Sequence, residues 1–260
     1  MRLFDTHCHI ADPRFDEDRR DVIDRFRAAG VRRALVVADP REEAPNEERV
    51  FALADAHDFL YAAIGVHPHN ASGWDADSEA TVRKYLAHPK CRLLGEIGLD
   101  YHYDLSPRDT QRRVFDIQLD LAHALDIPVQ LHIREAHGDC MDILRAHRGR
   151  LSGGIMHCYT GSWEAAKVYL DLGFYISLSG ALTFKNAPKL REVAQNTPAD
   201  RLLIETDCPY MAPVPLRGRR NEPSFIVHTF DKLAEFRGED PEALSERLWQ
   251  NACAVMRIEP

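Results

Sequence analysis

The chain has 260 residues, of which 45% are hydrophobic and 28% charged, a composition typical of a folded globular protein. Its 41 acidic and 33 basic residues give a net charge of −8, which argues against a broad basic face that coats nucleic acid. This charge does not exclude phosphate chemistry at a small, metal-dominated site. Thirteen histidines are a high count, and their positions become informative once the elements are placed.

The N-terminal segment Met1–Ile10 has neither a long apolar run nor a cleavage site, so we predict no secretory signal. No apolar run in the sequence approaches the roughly 18 residues that a membrane span requires. The six cysteines are scattered, without a CxxC pair, which is typical of reduced thiols inside the cell. We therefore expect a cytoplasmic protein that has no membrane partner.

Eight short apolar segments of strand length recur along the chain. They are Leu3–Ile10, Arg33–Ala38, Phe59–Val66, Arg92–Leu99, Val129–Ile133, Gly154–His157, Phe174–Leu178 and Leu202–Glu205. They begin roughly 20 to 35 residues apart, which is the period of a βα unit.

The stretches between these segments have helical periodicity. Apolar residues at positions 114, 117, 121 and 125 share one helix face. Before this stretch, Ser106 and Pro107 predict an N-cap followed by proline at the first helical position. Ser162 predicts the N-cap of a later helix, and Gly173 predicts where that helix ends.

A strand followed by a helix, repeated eight times, predicts an α/β protein with a single (β/α)8 TIM barrel. We expect one domain over residues 1–260, because such a barrel needs about 250 residues. The alternative is an open doubly wound sheet. It is less favoured, because no G-x-G-x-x-G turn follows the first strand.

Side chains that can bind metal follow six of the eight predicted strands, at the carboxyl ends where this barrel carries its catalytic groups. The pair His7 and His9 is the sharpest local pattern, since residues two apart on a strand share a face and can bind one cation. The other candidates are Glu96, His132, His157 and Asp207. Four histidines and two carboxylates are too many for one tetrahedral ion.

Six ligands suit two divalent cations, with Glu96 placed to bridge them. Imidazole and carboxylate ligands suit Zn²⁺, Mn²⁺, Ni²⁺ or Co²⁺, and permit Mg²⁺ if waters complete its shell. Asp207 is the candidate ligand and general base, which would take a proton from the attacking water. Glu96 and Asp207 are therefore the candidate catalytic residues.

Neighbouring polar residues have supporting roles in this prediction. Asp5 shares a strand face with His7 and could orient its imidazole, although a polar core position is the alternative. Glu205 lies deeper on the strand of Asp207. Cys8 should face the helices as a buried thiol, and His69 should be exposed to solvent.

Two residues near the predicted metal ligands are candidates for substrate binding. Arg134 follows a ligand by two residues, and its planar guanidinium suits a phosphate oxygen; a salt bridge with Glu135 is the alternative. His67 follows the third strand and could contact substrate or support a metal ligand, or it could be a turn residue before Pro68.

A compact basic cluster follows the eighth strand, at Arg217, Arg219 and Arg220. Loops after the last strands of this barrel often bind phosphate, so we predict contact with a nucleic-acid backbone. A solvated charge cluster is the alternative. Aromatic residues just beyond strand ends could stack on bases, and these are Trp74, Tyr101, Tyr103 and Tyr159.

Taken in order, these segments resemble the TatD family of metal-dependent deoxyribonucleases, within the amidohydrolase superfamily. The motifs are Asp5–His9, Gly65–Pro68, Gly95–Tyr101, His132–Arg134, His157–Gly161, Glu205–Pro213, Asn221–Pro223 and Asn251–Ala252. The resemblance runs from Phe4 to the C-terminal helix. One departure is that Tyr159 and Thr160 stand where the family often has Phe and Ser.

The resemblance implies a TIM barrel, a divalent metal centre and hydrolysis of DNA phosphodiester bonds, often from the 3′ end. The family's metal positions fall on His7, His9, Glu96, His132, His157 and Asp207. We therefore expect a deoxyribonuclease that binds DNA at its end with weak sequence specificity. We expect a monomer, because no predicted element has an unpaired apolar face. One alternative is an amidohydrolase or esterase acting on a small-molecule or tRNA-linked ester or amide. Another is a metal-binding scaffold without turnover.

Overall fold

The computed structural model describes residues 1–42 and 46–260. Within these ranges, strands and helices alternate along the chain. The strands are β1 Leu3–Cys8, β2 Val31–Ala38, β3 Leu60–Ile64, β4 Cys91–Asp100, β5 Val129–Arg134, β6 Gly154–Met156, β7 Phe174–Leu178 and β8 Leu202–Ile204. The helices are α1 Arg19–Ala28, α2 Glu47–Ala56, α3 Ala76–Leu86, α4 Arg108–Leu125, α5 His137–Ala146, α6 Trp163–Asp171, α7 Pro188–Asn196, α8 Ile226–Arg237 and α9 Pro241–Val255.

The eight strands form one sheet in sequence order, and every neighbouring pair from β1 to β8 is parallel. The sheet curls until its two ends meet. The amide of Asp207, just after β8, donates to the carbonyl of His7 at 3.0 Å, and the amide of His9 donates to the carbonyl of Cys208 at 2.8 Å. The predicted (β/α)8 TIM barrel is confirmed, and the open doubly wound sheet is wrong.

All eight predicted strands are present, with ends within two residues of those observed. Ser162 caps α6 as predicted, accepting from the amide of Ala165, and Gly173 follows α6 with a positive φ of 91°. The cap predicted at Ser106 is wrong, because α4 begins one residue later and Pro107 is its N-cap. The hydroxyl of Ser106 instead accepts from the amide of Ser72 and donates to the carbonyl of His69.

Side chains alternate along each strand between two apolar cores. The larger core lies between the strands and the surrounding helices, and it contains the fully buried Cys8, as predicted. The smaller core fills the amino-terminal end of the barrel with the inward-facing residues Phe4, Leu35, Ala63, Leu93, Ile155 and Leu203. Trp249, Ala252, Cys253 and Val255 of α9 pack against these residues, so α9 closes that end of the barrel.

A buried polar layer lies two residues further along the strands. Thr6 donates to the carbonyl of Ile204 at 3.0 Å, and Gln130 donates to the carbonyl of Thr6 at 2.8 Å. Ser177 donates to Glu205 at 2.6 Å. This layer separates the closed apolar end from the carboxyl ends of the strands. None of the described helices is both long and apolar enough to cross a membrane.

The closed end of the barrel should contribute strongly to stability. Phe4 is 3% exposed, and its ring centroid lies 5.9 Å from that of Trp249. We expect Phe4→Ala to lower the free energy of unfolding by about 3–5 kcal/mol, because it leaves a cavity that the barrel cannot refill. Urea unfolding measures this change. Leu125→Ala, at a side chain 46% exposed, is the control and should change it by no more than about 0.5 kcal/mol. If the two variants lowered the free energy of unfolding equally, the closed end would not have the proposed role in stability.

Candidate metal centre

A cavity of about 830 Å³ opens at the carboxyl ends of the strands. Its lining includes seven of the residues predicted from sequence, namely His9, His67, Glu96, His132, Arg134, His157 and Asp207. His7 lies beneath them and is fully buried. The barrel thus brings all six predicted metal ligands to one place.

One group of donors forms where β1 and β8 meet. The Nε2 atoms of His7 and His9 lie 3.0 Å apart, and each is 3.6 Å from Oδ1 of Asp207. Asp207 has a positive φ of 56°, a left-handed conformation that aspartate tolerates better than most residues. This turn after β8 points the carboxylate back toward the two imidazoles.

Glu96 on β4 faces two sets of histidines, one with each carboxylate oxygen. Its Oε2 lies 3.5 Å from Nε2 of His7 and 3.9 Å from Nε2 of His9. Its Oε1 lies 2.7 Å from Nδ1 of His132 and 2.8 Å from Nε2 of His157. A carboxylate held between two donor groups in this way has the geometry of a bridging ligand.

The ring of His7 is oriented from below by Gln130. The amide nitrogen of Gln130 donates to the carbonyl of Thr6, so its Oε1 must be the atom that faces Nδ1 of His7, at 2.9 Å. Nδ1 therefore carries the proton, and the lone pair of Nε2 points into the site. Partners of this kind fix the tautomer of metal-binding histidines and raise their basicity.

Carboxylates orient two more of the rings. Nδ1 of His157 lies 3.1 Å from Glu205, which also accepts from the amide of Cys158. Nε2 of His132 lies 3.1 Å from Asp100. In each case the nitrogen bonded to the carboxylate leaves the other ring nitrogen facing Glu96.

Glu96 and Asp207 are held in their ionised form. Burial would raise the pKa of Glu96, but the surrounding histidines, His157 first, hold it well below its usual range. Burial likewise opposes ionisation of Asp207, but the hydrogen bond with His9 together with the charges of His157, His7 and His9 lowers its pKa below the usual value. His67 behaves differently, since burial lowers its pKa to about 4 and keeps the ring neutral at pH 7. Two buried anions in one cavity need compensating positive charge.

The donor set fits a divalent metal. Three groups have ligand atoms within 4.8 Å of one another, namely His7 with His9 and Asp207, His7 with Glu96 and His157, and His67 with Glu96 and His132. Neutral imidazole nitrogens and carboxylate oxygens are the donors that borderline divalent cations prefer. The groups share His7 and Glu96, so the cluster is continuous.

Comparison with known proteins agrees with this geometry. Residues 4–257 match the family described as TatD related DNases. This chain belongs to the TatD family. A Bacillus subtilis relative, named as the uncharacterized metal-dependent hydrolase YabD, is 42% identical over 256 residues, covering 98% of this chain and 99% of the relative. A Rahnella relative, named as the 3′-5′ ssDNA/RNA exonuclease TatD, is 37% identical over 256 residues, covering 96% of each chain.

The TatD fold is also present among solved structures. The crystal structure of YjjV, a TatD homologue from Escherichia coli K12, superposes with a TM-score of 0.92 at 33% identity. The alignment covers 99% of both chains. The barrel described above is therefore the TatD barrel along the whole chain.

Arg134 lies where the sequence predicted it, in the cavity of the TatD barrel. Its guanidinium sits 4.7 Å from the ring centroid of Tyr103. The described residues place no carboxylate within ion-pair distance of it, and Glu135 pairs with His102 instead. The salt bridge considered as the alternative is therefore absent from the described part of the chain.

The basic cluster after β8 does not line the cavity. Arg217 packs over the ring of Phe184, 4.1 Å from its centroid, and Arg219 is exposed. Arg220 forms an ion pair with Asp18 at 2.6 Å. Any contact between these arginines and substrate would have to occur outside the cavity.

Several expectations about neighbouring residues need correction. His69 is not simply exposed to solvent, since its Nε2 lies 2.9 Å from Asp100. Asp5 does not orient an imidazole, because its carboxylate accepts from the amide and hydroxyl of Thr206 and so ties β1 to β8. For His67, contact with substrate stays a prediction, since the residue lines the cavity and its Nε2 lies 3.4 Å from Oε1 of Glu96.

The orienting roles of Gln130 and Asp100, and the position of Tyr210 in the cavity lining, were not predicted from the sequence. A signal existed for Gln130, which is a buried polar residue two positions before His132 on the same strand face. Tyr210 comes three residues after Asp207 in an irregular segment, and no periodicity marks it.

Gln130 provides a test of how the TatD site is held together. We expect Gln130→Leu to weaken divalent metal binding by about 10- to 100-fold, because His7 loses the acceptor that fixes its tautomer. Isothermal titration of the metal-free protein with Mn²⁺ and Zn²⁺ measures the affinity. Asn251→Leu is the control, since it removes two hydrogen bonds near the start of β8, at the opposite end of the barrel. A similar loss of affinity in both variants would show that Gln130 acts through general stability alone.

Proposed function

We propose that this protein is a metal-dependent deoxyribonuclease that hydrolyses phosphodiester bonds from the 3′ end of a DNA strand. The observation that carries the proposal is Glu96, whose two oxygens face separate donor groups on the floor of an open cavity. The names of the relatives support the same chemistry, since one is a metal-dependent hydrolase and another a 3′-5′ ssDNA/RNA exonuclease.

We assign two divalent cations, of Mg, Mn, Zn, Ni or Co, to the two sides of Glu96. One set of ligands is His7, His9, Asp207 and Glu96, and the other is Glu96, His132 and His157, with His67 beside it. When bound, the cations would supply the Lewis acidity that makes water a nucleophile at neutral pH and that neutralises the phosphate. This local charge makes a basic protein surface unnecessary.

Residues of the protein accept the proton of the attacking water and bind the substrate. Oδ1 of Asp207, held ionised beside His9, accepts the proton of the attacking water. Glu96 keeps the two donor groups at a fixed separation. The guanidinium of Arg134, free of a carboxylate partner in the described residues, donates to a phosphate oxygen.

Arg134 also favours a phosphodiester over the alternative ester or amide substrate, since a neutral carbonyl gives a guanidinium no charge to pair with.

We further propose that Arg217 and Arg219 contact the strand outside the cavity, while Arg220 holds that loop to Asp18. Contacts of this kind reach the sugar–phosphate backbone and carry little sequence information. The enzyme should therefore bind DNA ends with weak sequence specificity.

We propose that residues 1–260 work as one domain, as a monomer, in the cytoplasm. The six cysteines are all free, which suits a reducing compartment. Light scattering on the purified protein tests the monomer, and a stable dimer would contradict it.

Cleavage of end-labelled DNA tests the proposed function. With Mg²⁺, Mn²⁺ or Zn²⁺, the wild-type protein should shorten a 5′-labelled single strand stepwise from its 3′ end. Asp207→Asn should lower the rate by at least about 100-fold, because the general base is lost. Asp231→Asn, an exposed site on α8, is the control and should act like the wild type. A wild-type protein that leaves DNA intact but hydrolyses a carboxylic ester would overturn the nuclease proposal.

Metal loading should stabilise the fold through the same ligands. At about 100 times the dissociation constant, a ligand that binds only the folded state adds about 2.7 kcal/mol, and Tm should rise on the order of 5–10 °C. Differential scanning fluorimetry before and after chelation measures this shift. Glu96→Gln should remove most of the shift, whereas Glu192→Gln on the exposed face of α7 should keep it. An unchanged shift in Glu96→Gln would contradict the bridging role.

A further inference from the structure

Most of the large hydrophobic side chains left exposed in the described residues lie around the cavity. In the described residues, the large hydrophobic side chains that stay exposed are Met1, Tyr103, Leu105, Leu125, Tyr210 and Val214. Four of these lie in the loops that follow β4 and β8, and three line the cavity itself. Apolar groups left in water at the opening of a polar site indicate a surface that a ligand covers.

Tyr103 is attached to one side of the metal centre. It is 54% exposed, and its backbone amide donates to Oδ1 of Asp100 at 2.9 Å. The other oxygen of Asp100 bonds the rings of His69 and His132. The guanidinium of Arg134 covers part of the tyrosine ring, 4.7 Å from its centroid. The ring centroid lies 5.4 Å from that of His69, which shares Asp100 with His132, so the ring borders the His132 side of the metal centre.

Tyr210 has the corresponding position on the other side. It is 51% exposed, and its amide donates to the carbonyl of Asp207 at 2.9 Å. Its ring centroid lies 6.1 Å from that of His9, and the guanidinium of Arg14 lies 4.4 Å from it. This ring therefore borders the side of the metal centre that carries His9 and Asp207.

We propose that Tyr103 and Tyr210 are stacking platforms for the two nucleosides joined by the bond that the enzyme hydrolyses. Each tyrosine adjoins one of the two donor groups that Glu96 connects. A phosphate held over Glu96 therefore has one nucleoside directed toward each ring. This assignment rests on the proposed nuclease function and adds the residues that position its substrate.

The chemistry of the platforms defines the substrate class. A phenol ring stacks on the face of any base, so it gives affinity without sequence preference. A base stacked on protein cannot also be paired and stacked within a duplex. The arrangement therefore selects a single-stranded end, and Arg134 and Arg14 add positive charge beside each platform.

A comparison of tyrosine variants on abasic substrates tests the assignment. The variants are Tyr103→Ala and Tyr210→Ala, with Tyr103→Phe and Tyr210→Phe as conservative replacements. The substrates are a single-stranded oligonucleotide and two analogues that lack either the 3′-terminal or the penultimate base. Leu125→Ala, at an exposed side chain on α4, is the control.

On the intact strand, each alanine variant should lower kcat/KM by about 10-fold or more, mainly through KM, because one stacked base is lost. On the analogue that lacks the base stacked on its tyrosine, an alanine variant should match the wild-type kcat/KM. The analogue on which this occurs should differ between Tyr103→Ala and Tyr210→Ala. The phenylalanine variants should restore the wild-type values, since stacking needs the ring and not the hydroxyl. All variants should keep the wild-type midpoint of urea unfolding.

The outcomes separate this assignment from the function on which it rests. If wild type degrades the strand and the alanine variants match it, the platforms are wrong and the nuclease proposal stands. If the alanine variants lose as much on abasic strands as on the intact strand, the rings do not act by stacking. If wild type degrades no strand at all, both proposals are wrong.

Discussion

The buried carboxylate of Glu96 is the constraint on which the rest of the site depends. An anion in a barrel interior is costly unless charged or polar groups surround it. Here the histidines of β1, β5 and β6 converge on it, and their effect on its pKa exceeds that of burial. Each converging ring then needs its own acceptor, which Gln130, Asp100 and Glu205 provide. The chemistry of one side chain thus sets the polar content of several strands.

The interior of the barrel is divided into three levels along the strand direction, and only one of them carries the ionisable groups. Apolar side chains and α9 close the amino-terminal end, where water is excluded and stability is generated. Thr6, Gln130 and Ser177 form the next level and bond the groups above and below them. The candidate metal donors occupy the carboxyl ends of the strands, open to the cavity. A strand in this barrel therefore changes from apolar to polar to ionisable within a few residues.

The strands, the barrel and the candidate metal ligands could be predicted from the sequence, because all three depend on local patterns. Alternating apolar runs mark strands, and parallel strands bring their carboxyl ends to one edge. Contacts between residues on opposite sides of the barrel produce a weaker pattern in the sequence. Gln130 reads as an ordinary strand residue until its partner His7 is known, and Ser106 bonds two loops instead of capping α4. Tyr210 follows an irregular turn, so neither helical nor strand periodicity identifies it.

The closed amino-terminal end of the barrel has a consequence for how a long polymer could be degraded. Because α9 and the inward-facing apolar residues fill the amino-terminal end, no chain can thread through the barrel. In the proposed exonuclease, substrate would enter and the released nucleotide would leave through the same opening. After each cut, the monomer has to vacate the opening before the shortened polymer can advance by one unit. Release of the product through this opening, and not only bond hydrolysis, can therefore limit the rate of successive cycles.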